Sequence, residues 1–420
     1  MSRVRVVRLN ILIFSPFFPP GHSPEAIVTG KLALAFLDRG YSVSVISSEH
    51  RPSDPSHLWW PLRAVTTEIA FERGFELVMK RLWSSVMTGY PVTGTTWGYR
   101  ALREARKLIQ SKTFDVIMTR SHPIYGHLPG LILSRQTGIP WIANWNDPDP
   151  PVRAPKPYGD GRYAAIGFWW ERFMRRASQY AAWHTFPSER LMDYMLNIYP
   201  LMRGKSSVIP HIALTRLTRK RVDNGGKFII CHAGSIASPR DPNPFFEGFS
   251  RFLATVERPD SVQLLFLGVP EGRTKTVNIP QRVRTVLRFC AQCSYEASLE
   301  LMSTADVLLV IEPPLNESIF LLTKFVDSAQ CAKPILNVAP VLSTGSDLLL
   351  RFGGGITADC TSPDAIFNAL RILYETWCSE TIRERFNSEA LLQSFSDEVV
   401  VNSYRAIFKW LPDRRGRKDR

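Results

Sequence analysis

The sequence predicts an α/β protein with two doubly wound parallel sheets, and its length and its pattern of apolar residues support that prediction. At 420 residues the chain is longer than one ordinary hydrophobic core supports, so two domains are expected. Short apolar, β-branched segments alternate with segments whose apolar residues recur at helical spacing, the pattern of βαβ units. The alternation lapses over the basic, polar and glycine-terminated segment Leu214–Gly226, which we interpret as a linker.

The first series of strands and helices fills the N-terminal half of the chain. Gly40 follows the helical spacing of Glu25–Arg39 and predicts its end, because glycine readily adopts the conformation that stops a helix. The predicted strands are Leu9–Ser15, Tyr41–Ser47, Asp115–Met118 and Trp141–Asn144, with further strand ends at Ala182–Thr185 and Ser207–Ile209. The other predicted helices are Leu102–Ser111 and Leu128–Arg135.

The second series starts at Lys227. Its predicted strands are Phe228–His232, Val262–Leu267, Val283–Phe289, Val307–Ile311, Pro334–Val338 and Ile356–Ala358. Its predicted helices are Pro244–Leu253, Tyr295–Thr304, Thr323–Cys331, Asp347–Phe352 and Pro363–Tyr374. The expected organisation is an N-terminal domain over 1–213, a linker over 214–226 and a C-terminal domain over 227–398. A helix able to pack back on the N-terminal domain and a basic tail occupy 399–420.

The composition is that of a folded protein with an excess of basic residues. Hydrophobic residues make up 45% of the chain, and 52 basic against 38 acidic residues give a net charge of +14. This balance favours nucleotide phosphates, nucleic acid or an anionic membrane as partners, although a solvated basic surface explains it equally well. No apolar run reaches the roughly 18–20 residues that span a bilayer. The short apolar stretch near the start predicts a buried strand rather than a signal peptide.

The cysteines predict neither a disulfide framework nor a metal centre. Six cysteines in a chain of this length indicate a reducing compartment. Cys290 and Cys293 form a CxxC pair, but no second pair stands at the spacing of a zinc ribbon. We therefore interpret them as ordinary thiols near the end of a strand.

The segment from Ile311 to Pro334 carries the residues best suited to binding a ligand. A buried strand ends there, a proline-containing loop follows, and the next helix places Lys324 and Asp327 on one face. Open α/β sheets bind ligands where the carboxyl ends of strands meet helix N-termini. A carboxylate in that position can accept hydrogen bonds from ribose hydroxyls, and a lysine can meet a diphosphate. The alternative is a solvated helix face.

The same segment resembles the donor-binding signature of GT-B glycosyltransferases of the family 4-like type. The resemblance rests on Phe320-Leu321-Leu322-Thr323-Lys324-Phe325-Val326-Asp327, closing on Lys333-Pro334-Ile335. The commonest form of this family has two glutamates eight residues apart. Phe325 stands at that offset from Glu317, so Asp327 would supply the second carboxylate.

Other motifs of the same family follow in the expected order. They are Ser15-Pro16-Phe17-Phe18-Pro19-Pro20-Gly21, Arg39-Gly40-Tyr41-Ser42-Val43, Phe114-Asp115-Val116-Ile117, Gly138-Ile139-Pro140-Trp141, Trp145-Asn146-Asp147-Pro148, His232-Ala233-Gly234-Ser235 and Arg240-Asp241-Pro242. The resemblance covers the chain from Ile11 to about Tyr374. It implies two Rossmann-like domains facing a central cleft, with the acceptor on the N-terminal domain and a nucleotide-sugar donor on the C-terminal one.

The resemblance also implies roles for particular residues. The implied donor-binding residues are Gly234, Ser235, Arg240, Glu317, Lys324 and Asp327. Arg240 and Lys324 would meet the diphosphate, Asp327 the ribose and Glu317 the sugar. Gly234 would let the backbone approach the phosphate, since a side chain there would clash.

His122 and Asp147 are the implied catalytic residues of the N-terminal domain. His122 would donate to the sugar or polarise the acceptor hydroxyl, with a plain loop histidine as the alternative. Asp147 would bind the acceptor or act as a base, but the Pro148 that follows also suits a turn-forming aspartate. His127, at the start of a helix, is expected to be a capping or core residue.

The implied activity is a retaining transfer of sugar from a nucleotide diphosphate to an acceptor hydroxyl, without cofactor or metal. The acceptor would be a glycan or a lipid-linked glycan in cell-envelope polysaccharide synthesis. The enzyme would be cytoplasmic or peripheral on the inner face of the membrane. The aromatic and arginine-rich segment Phe168–Tyr180 could touch a membrane, or it could be a core-facing helix with arginines reaching solvent.

Three other functions remain open on the sequence. A sugar-nucleotide epimerase of similar architecture would act without an acceptor, and a sugar-binding protein without enzymatic activity would show no turnover. A basic nucleic-acid-binding protein is disfavoured, because no helix-turn-helix, zinc finger or RNP-like strand is present.

Overall fold

The structure is a computed structural model with two compact units. It describes residues 9–49, 54–70, 94–121, 123–149, 153–159, 167–218, 225–234, 236, 238–268 and 277–411, with backbone alone at 167–169. Unit 1 comprises Met1–Pro210 and Val400–Arg420, and unit 2 comprises His211–Val399. Each unit holds one parallel sheet with helices, which confirms the predicted fold class.

Unit 1 is built on a seven-stranded parallel sheet in the order β3-β2-β1-β4-β5-β6-β7. Its strands are β1 (Asn10–Phe14), β2 (Ser42–Ser48), β3 (Thr66–Ile69), β4 (Val116–Arg120), β5 (Trp141–Asn144), β6 (Trp183–Phe186) and β7 (Ser206–Val208). The central strands β1, β4 and β5 are almost entirely buried, as expected for parallel strands covered on both faces. The order reverses between β1 and β4, so their carboxyl ends form a switch point.

The helices of unit 1 begin and end where local chemistry stabilises their ends. At the first helix, Ser23 accepts from the Ala26 N–H, and Gly40 follows the end with a φ of 78°. The described helices are α1 (Pro24–Asp38), α2 (Trp60–Arg63), α3 (Thr95–Ser111), α4 (Leu128–Thr137), α5 (Gly167–Tyr180) and α6 (Glu189–Ile198). Short 3₁₀ turns in unit 1 lie at His57–Trp59, Ile124–His127 and Pro200–Met202.

The aromatic and arginine-rich segment forms α5. Trp170, Phe173 and Met174 are buried, whereas Arg172 and Arg175 are exposed on the other side. This arrangement matches the core-facing interpretation of the segment. Among the described residues, no helix is long and apolar enough to cross a membrane.

Unit 2 is built on a six-stranded parallel sheet in the order β10-β9-β8-β11-β12-β13. Its strands are β8 (Phe228–Ala233), β9 (Val262–Leu267), β10 (Leu287–Cys290), β11 (Val307–Ile311), β12 (Ile335–Ala339) and β13 (Gly355–Asp359). The helices of this part of the chain are α7 (Asn243–Thr255), α8 (Gln281–Val286), α9 (Tyr295–Ser303), α10 (Thr323–Gln330), α11 (Thr344–Phe352), α12 (Pro363–Cys378), α13 (Ile382–Arg385), α14 (Glu389–Ser394) and α15 (Asp397–Trp410). Two 3₁₀ turns lie at Thr215–Leu217 and Pro259–Ser261.

The predicted strand Val283–Phe289 is wrong. Its first residues belong to α8, and β10 starts only at Leu287. Val283 and Val286 are three residues apart and both buried, while polar residues occupy the exposed positions between them. The apolar residues therefore follow a helical period.

The compact units divide at positions different from those expected. The boundaries fall after Pro210 and Val399, against 213 and 398 from the sequence. The N–H of Ala213 donates to the Phe395 carbonyl at 2.8 Å, and that of Leu214 donates to the Gln330 side chain at 2.8 Å. The first residue of the expected linker thus packs inside unit 2, while 219–224 lie outside the described residues.

The last helix contributes to the core of unit 1. Tyr404 is 1% exposed, and its ring meets Phe36 edge-on at 5.5 Å. Phe408 packs against Phe36 and Tyr41, with ring centroids 6.1 and 5.9 Å away. The C-terminal residues therefore help to cover α1.

Candidate functional site

The switch point of the unit 2 sheet lies between β8 and β11. From β8 the chain continues to β9 on one side, and from β11 it continues to β12 on the other. Such a reversal leaves a crevice outside the carboxyl ends of the two strands. His232 and Gly234 lie at the end of β8, and Glu312 directly follows β11.

Lys324 reaches this crevice from the first turn of α10. Its Nζ lies 3.5 Å from Nε2 of His232. A Cβ added to Gly234 would lie 2.8 Å from Cε of Lys324 and 3.0 Å from Nζ, and the φ of Gly234 is +95°. Both the close approach and the left-handed backbone require glycine here. The sequence prediction that Gly234 and Lys324 belong to one site therefore agrees with this geometry.

Burial disfavours the charged form of Lys324. Burial, together with the charge of Arg240, lowers its pKa from the usual 10.5 to about 7. An anion placed beside the amine would favour the charged form and raise this pKa. A negatively charged group bound in the crevice would therefore stabilise protonated Lys324.

His232 is fully buried behind Lys324. Its Nδ1 lies 2.9 Å from the carbonyl oxygen of Leu309. Burial lowers the pKa of His232 well below 6.5, and the charge of Lys324 adds to that effect. The carbonyls of Leu309 and Gly234 act in the opposite direction but do not overcome burial. The imidazole is therefore neutral.

Arg240 supplies the second cation of the crevice. Its Nε donates to the Ile311 carbonyl at 3.1 Å, which anchors the half-buried guanidinium at the end of β11. The side chain therefore lies at the same strand ends as Lys324, and their mutual repulsion appears in the lowered pKa of the lysine. Two cations at one switch point suit a dianionic diphosphate.

A buried carboxylate, Glu312, completes the strand ends and was missed by the sequence analysis. Glu312 is 2% exposed and accepts a hydrogen bond from the Ser318 hydroxyl. Burial raises its pKa from 4.5 to about 7, opposed by the Ser318 bond and the charge of Arg240. An acidic residue directly after an apolar strand was the available signal, but the sequence shows neither its burial nor its partner.

Ser318 fixes the loop that follows β11. Its N–H donates to the Leu342 carbonyl at 2.9 Å, and its own carbonyl accepts from the Thr344 N–H at 3.0 Å. With its hydroxyl on Glu312, this one residue ties the loop to two neighbouring strand ends. Glu317 precedes it and is exposed.

Asp327 is more buried than a residue that contacts a ribose is expected to be. It is 9% exposed, and its Oδ1 accepts from the Tyr295 hydroxyl at 2.8 Å. The buried Tyr295 thus ties the start of α9 to α10. A ribose contact would have to share this carboxylate with Tyr295.

The remaining predicted site residues lie elsewhere. His122 and Ser235 fall outside the described residues. Asp147 belongs to unit 1 and follows β5, next to Asn146, whose N–H donates to the Ser121 hydroxyl at 3.3 Å. It therefore lies at the carboxyl ends of β4 and β5, beside the switch point of its own sheet.

His127 and the cysteines fill structural positions. His127 is fully buried, with Nδ1 2.6 Å from the Thr119 hydroxyl, which agrees with the expected core residue. No disulfide joins the six cysteines. Within the described part of the chain, no three His, Cys, Asp or Glu side chains converge as a metal ion would require.

Comparisons with known proteins agree with this architecture. Residues 26–211 match the family model described as a glycosyl transferase 4-like domain. The structure of HepE from Anabaena, in complex with UDP and glucose, matches with a TM-score of 0.67 at 11% identity, covering 96% of this chain and 100% of that one. Sucrose-phosphate synthase from Thermosynechococcus elongatus matches with a TM-score of 0.65 at 17% identity, covering 96% and 100%. A comparison with curated protein sequences found no match.

One similar structure carries a different activity in its name. A putative UDP-N-acetylglucosamine 2-epimerase from Listeria monocytogenes matches with a TM-score of 0.57 at 9% identity, covering 96% of this chain and 98% of that one. At these identities the structural likenesses establish the fold alone.

The two sheets give the fold of the protein, and the matched residues agree with the predicted family. The chain has the GT-B fold, with one Rossmann-like sheet in each unit. Residues 26–211 match a glycosyl transferase 4-like domain, in agreement with the glycosyltransferase that the sequence motifs predict.

Proposed function

We propose that this protein is a glycosyltransferase that moves a sugar from a nucleotide diphosphate to an acceptor hydroxyl, with the donor held at the switch point of unit 2. The observation that carries the proposal is the pairing of Lys324 with Arg240 beside Gly234 at the ends of β8 and β11. These residues provide two cations and an open backbone position. Together the two cations complement the charge of a diphosphate.

Two cations suit the chemistry of the leaving group. Negative charge grows on the diphosphate as the glycosidic bond breaks, so groups that bind this charge lower the barrier. Protonated Lys324 becomes more stable as that charge develops, because burial disfavours the charged amine and an adjacent anion favours it. Arg240 keeps its charge throughout. The proposed reaction therefore requires no divalent cation.

The sugar and the ribose would be held by the two carboxylates of the same segment. Glu317 stands on the loop that Ser318 anchors, and it would accept from hydroxyls of the donor sugar. Asp327 would accept from the ribose while it holds Tyr295. The structure of HepE contains UDP, which makes a uridine nucleotide the first donor to test here.

The acceptor would bind on unit 1. Asp147, beside the switch point of that sheet, would bind or deprotonate the acceptor hydroxyl, with His122 in the role that the family resemblance implies. We propose a retaining transfer with front-face attack assisted by the donor phosphate. The proposed acceptor is a glycan or a lipid-linked glycan, met in the cytoplasm or at the inner face of the membrane.

A two-stage assay tests the proposal. Thermal-shift screening against UDP-, GDP-, ADP- and TDP-sugars should identify one nucleotide that raises the midpoint, because a ligand specific to the folded state stabilises it. With that donor, nucleotide release should require an acceptor and persist in excess chelator. Release that stops in chelator and returns with magnesium would contradict the metal-free mechanism. Conversion of the donor sugar to its C2 epimer without an acceptor would instead establish an epimerase.

A further inference from the structure

The imidazole of His232 lies between the core of unit 2 and the proposed diphosphate site. One ring nitrogen, Nδ1, is 2.9 Å from the Leu309 carbonyl oxygen, and the other, Nε2, is 3.5 Å from the Lys324 ammonium. The ring is fully buried, and its centroid lies 5.2 Å from that of Phe266. Neither the family resemblance nor the comparisons give His232 a role.

The short contact with Leu309 indicates where the proton of the ring lies, with the Gly234 carbonyl as the competing acceptor. A carbonyl oxygen can only accept, so the short contact with Leu309 requires a proton on Nδ1. A neutral imidazole carries one proton, which leaves Nε2 as an acceptor. The ammonium of Lys324 can only donate, so it completes the arrangement from the other side.

We propose that His232 is a positioning residue, whose unprotonated Nε2 holds the Lys324 ammonium at the point where the donor diphosphate arrives. The inference rests on the proposed function only for the identity of that anion. The separation of 3.5 Å is that of a weak hydrogen bond, and hydrogen bonds at such sites often tighten when the ligand binds.

A neutral acceptor suits this place better than a carboxylate. A carboxylate would pair with Lys324 and would have to be displaced or compensated by the diphosphate. The imidazole orients the ammonium through a lone pair and adds no negative charge of its own. Gly234 removes the side chain that would otherwise occupy the space around Nζ.

Two substitutions separate the two contacts of the ring. In His232→Asn the amide nitrogen stands near the position of Nδ1, so it can donate to Leu309 but cannot reach Lys324. In His232→Gln the amide oxygen stands near the position of Nε2, so it can accept from Lys324 while the Leu309 carbonyl loses its donor. If His232 only stabilised the fold through its bond to Leu309, His232→Asn would be the milder of the two substitutions.

The two variants should rank in opposite order in UDP affinity and in thermal stability. His232→Asn should weaken UDP binding about tenfold, the effect of losing a hydrogen bond to a charged group, and His232→Gln should stay within about threefold of the wild type. Uridine binding should not change in either variant. The melting temperature of the ligand-free protein should fall more in His232→Gln, because a buried carbonyl loses its donor. Equal UDP affinities in the two variants would overturn the proposal.

A second measurement uses wild-type protein alone, without a donor or a substitution. In wild-type protein with ¹⁵N-labelled histidine, the ring spectrum of His232 at neutral pH should show the proton on Nδ1 and a bare Nε2. A proton on Nε2, donated to the Gly234 carbonyl, or a doubly protonated ring would overturn the proposal. If no nucleotide diphosphate binds the wild type, the proposed function fails, whereas this spectrum still decides the role of His232.

Discussion

At the scale of single residues, the site carries two ionisable groups that the fold holds near their neutral forms. Lys324 has its pKa lowered to about 7, and Glu312 has its pKa raised to about 7, in both cases mainly through burial. Each shift is a loss of stability in the pH range where the charged form is forced on the fold. Both shifts therefore lower the stability of unit 2 near neutral pH.

The lysine leads to the first prediction. Because its folded-state pKa lies below 10.5, stability is lost as pH falls through the range between those values, and the loss is complete below about pH 7. Lys324→Met keeps the aliphatic stem without the charge. It should raise the melting temperature of ligand-free protein at pH 7, by roughly 2–4 °C for each kcal/mol recovered. At pH 10.5 the difference should nearly vanish, and an unchanged or lower midpoint at pH 7 would show that the charge is not strained.

The glutamate leads to the second prediction, with the opposite sign. Its folded-state pKa lies above 4.5, so stability is lost as pH rises through the range from 4.5 to about 7. Glu312→Gln retains an acceptor for Ser318 without the charge. The variant should gain little over the wild type at pH 5 and clearly more at pH 8, as measured by thermal melting. A difference in melting temperature that does not depend on pH would show that the charge of Glu312 is not its cause.

At the scale of secondary-structure elements, the proposed donor site depends on where strands and helices end. The turn after β8 must bring Gly234 against Lys324 at the start of α10, and a Cβ at this position would lie 2.8 Å from Cε of the lysine. The φ of +95° adds a backbone penalty for any other residue. A second glycine with a positive φ and more space around it can separate the backbone penalty from the steric clash with Lys324.

The third prediction compares Gly234→Ala with Gly353→Ala. Gly353 has a φ of +74°, but a Cβ there would meet only the Asn387 carbonyl oxygen, at 3.5 Å. Both variants should melt at lower temperature, by an amount corresponding to about 1 kcal/mol or more, because alanine disfavours positive φ. UDP affinity should fall in Gly234→Ala alone, as measured by titration calorimetry. Equal affinities in the two variants would show that the space beside Lys324 does not matter.

Sequence reasoning located the elements that hold the site but not the contacts that tune it. Alternating apolar periods predicted β8, β11 and α10, and the motif residues Gly234 and Lys324 meet as expected. The roles of His232 and Glu312 could not be predicted, since both depend on partners 77 and 6 residues away and on complete burial. The wrong strand at Val283 arose because a two-turn helix and a strand share a short apolar run.

At the scale of the whole molecule, α15 connects the two units in sequence. The helix begins at Asp397, in unit 2, and from Val400 onward it belongs to unit 1. Asp397 accepts from the Thr215 hydroxyl at 2.9 Å, and Tyr404 packs on Phe36. Its C-terminal turns are therefore part of the unit 1 core rather than an appendage.

The fourth prediction tests that contribution. Tyr404→Ala removes a side chain that is 1% exposed, so it should cost about 3–5 kcal/mol of stability in unit 1. Trp410→Ala, at a residue 79% exposed on the same helix, should have almost no effect. Thermal melting with and without UDP should show the loss in Tyr404→Ala under both conditions. Similar small effects from both substitutions would mean that α15 does not belong to the core of unit 1.

The most direct test of the central claim is calorimetric titration of UDP and of uridine into wild type, Lys324→Met and Arg240→Met. The claim is that these two cations bind the diphosphate of the donor. Each substitution should weaken UDP binding by about 1–3 kcal/mol, the scale of a charge-assisted hydrogen bond, while uridine binding remains unchanged. Equal losses for UDP and uridine, or UDP binding that survives both substitutions, would contradict the account.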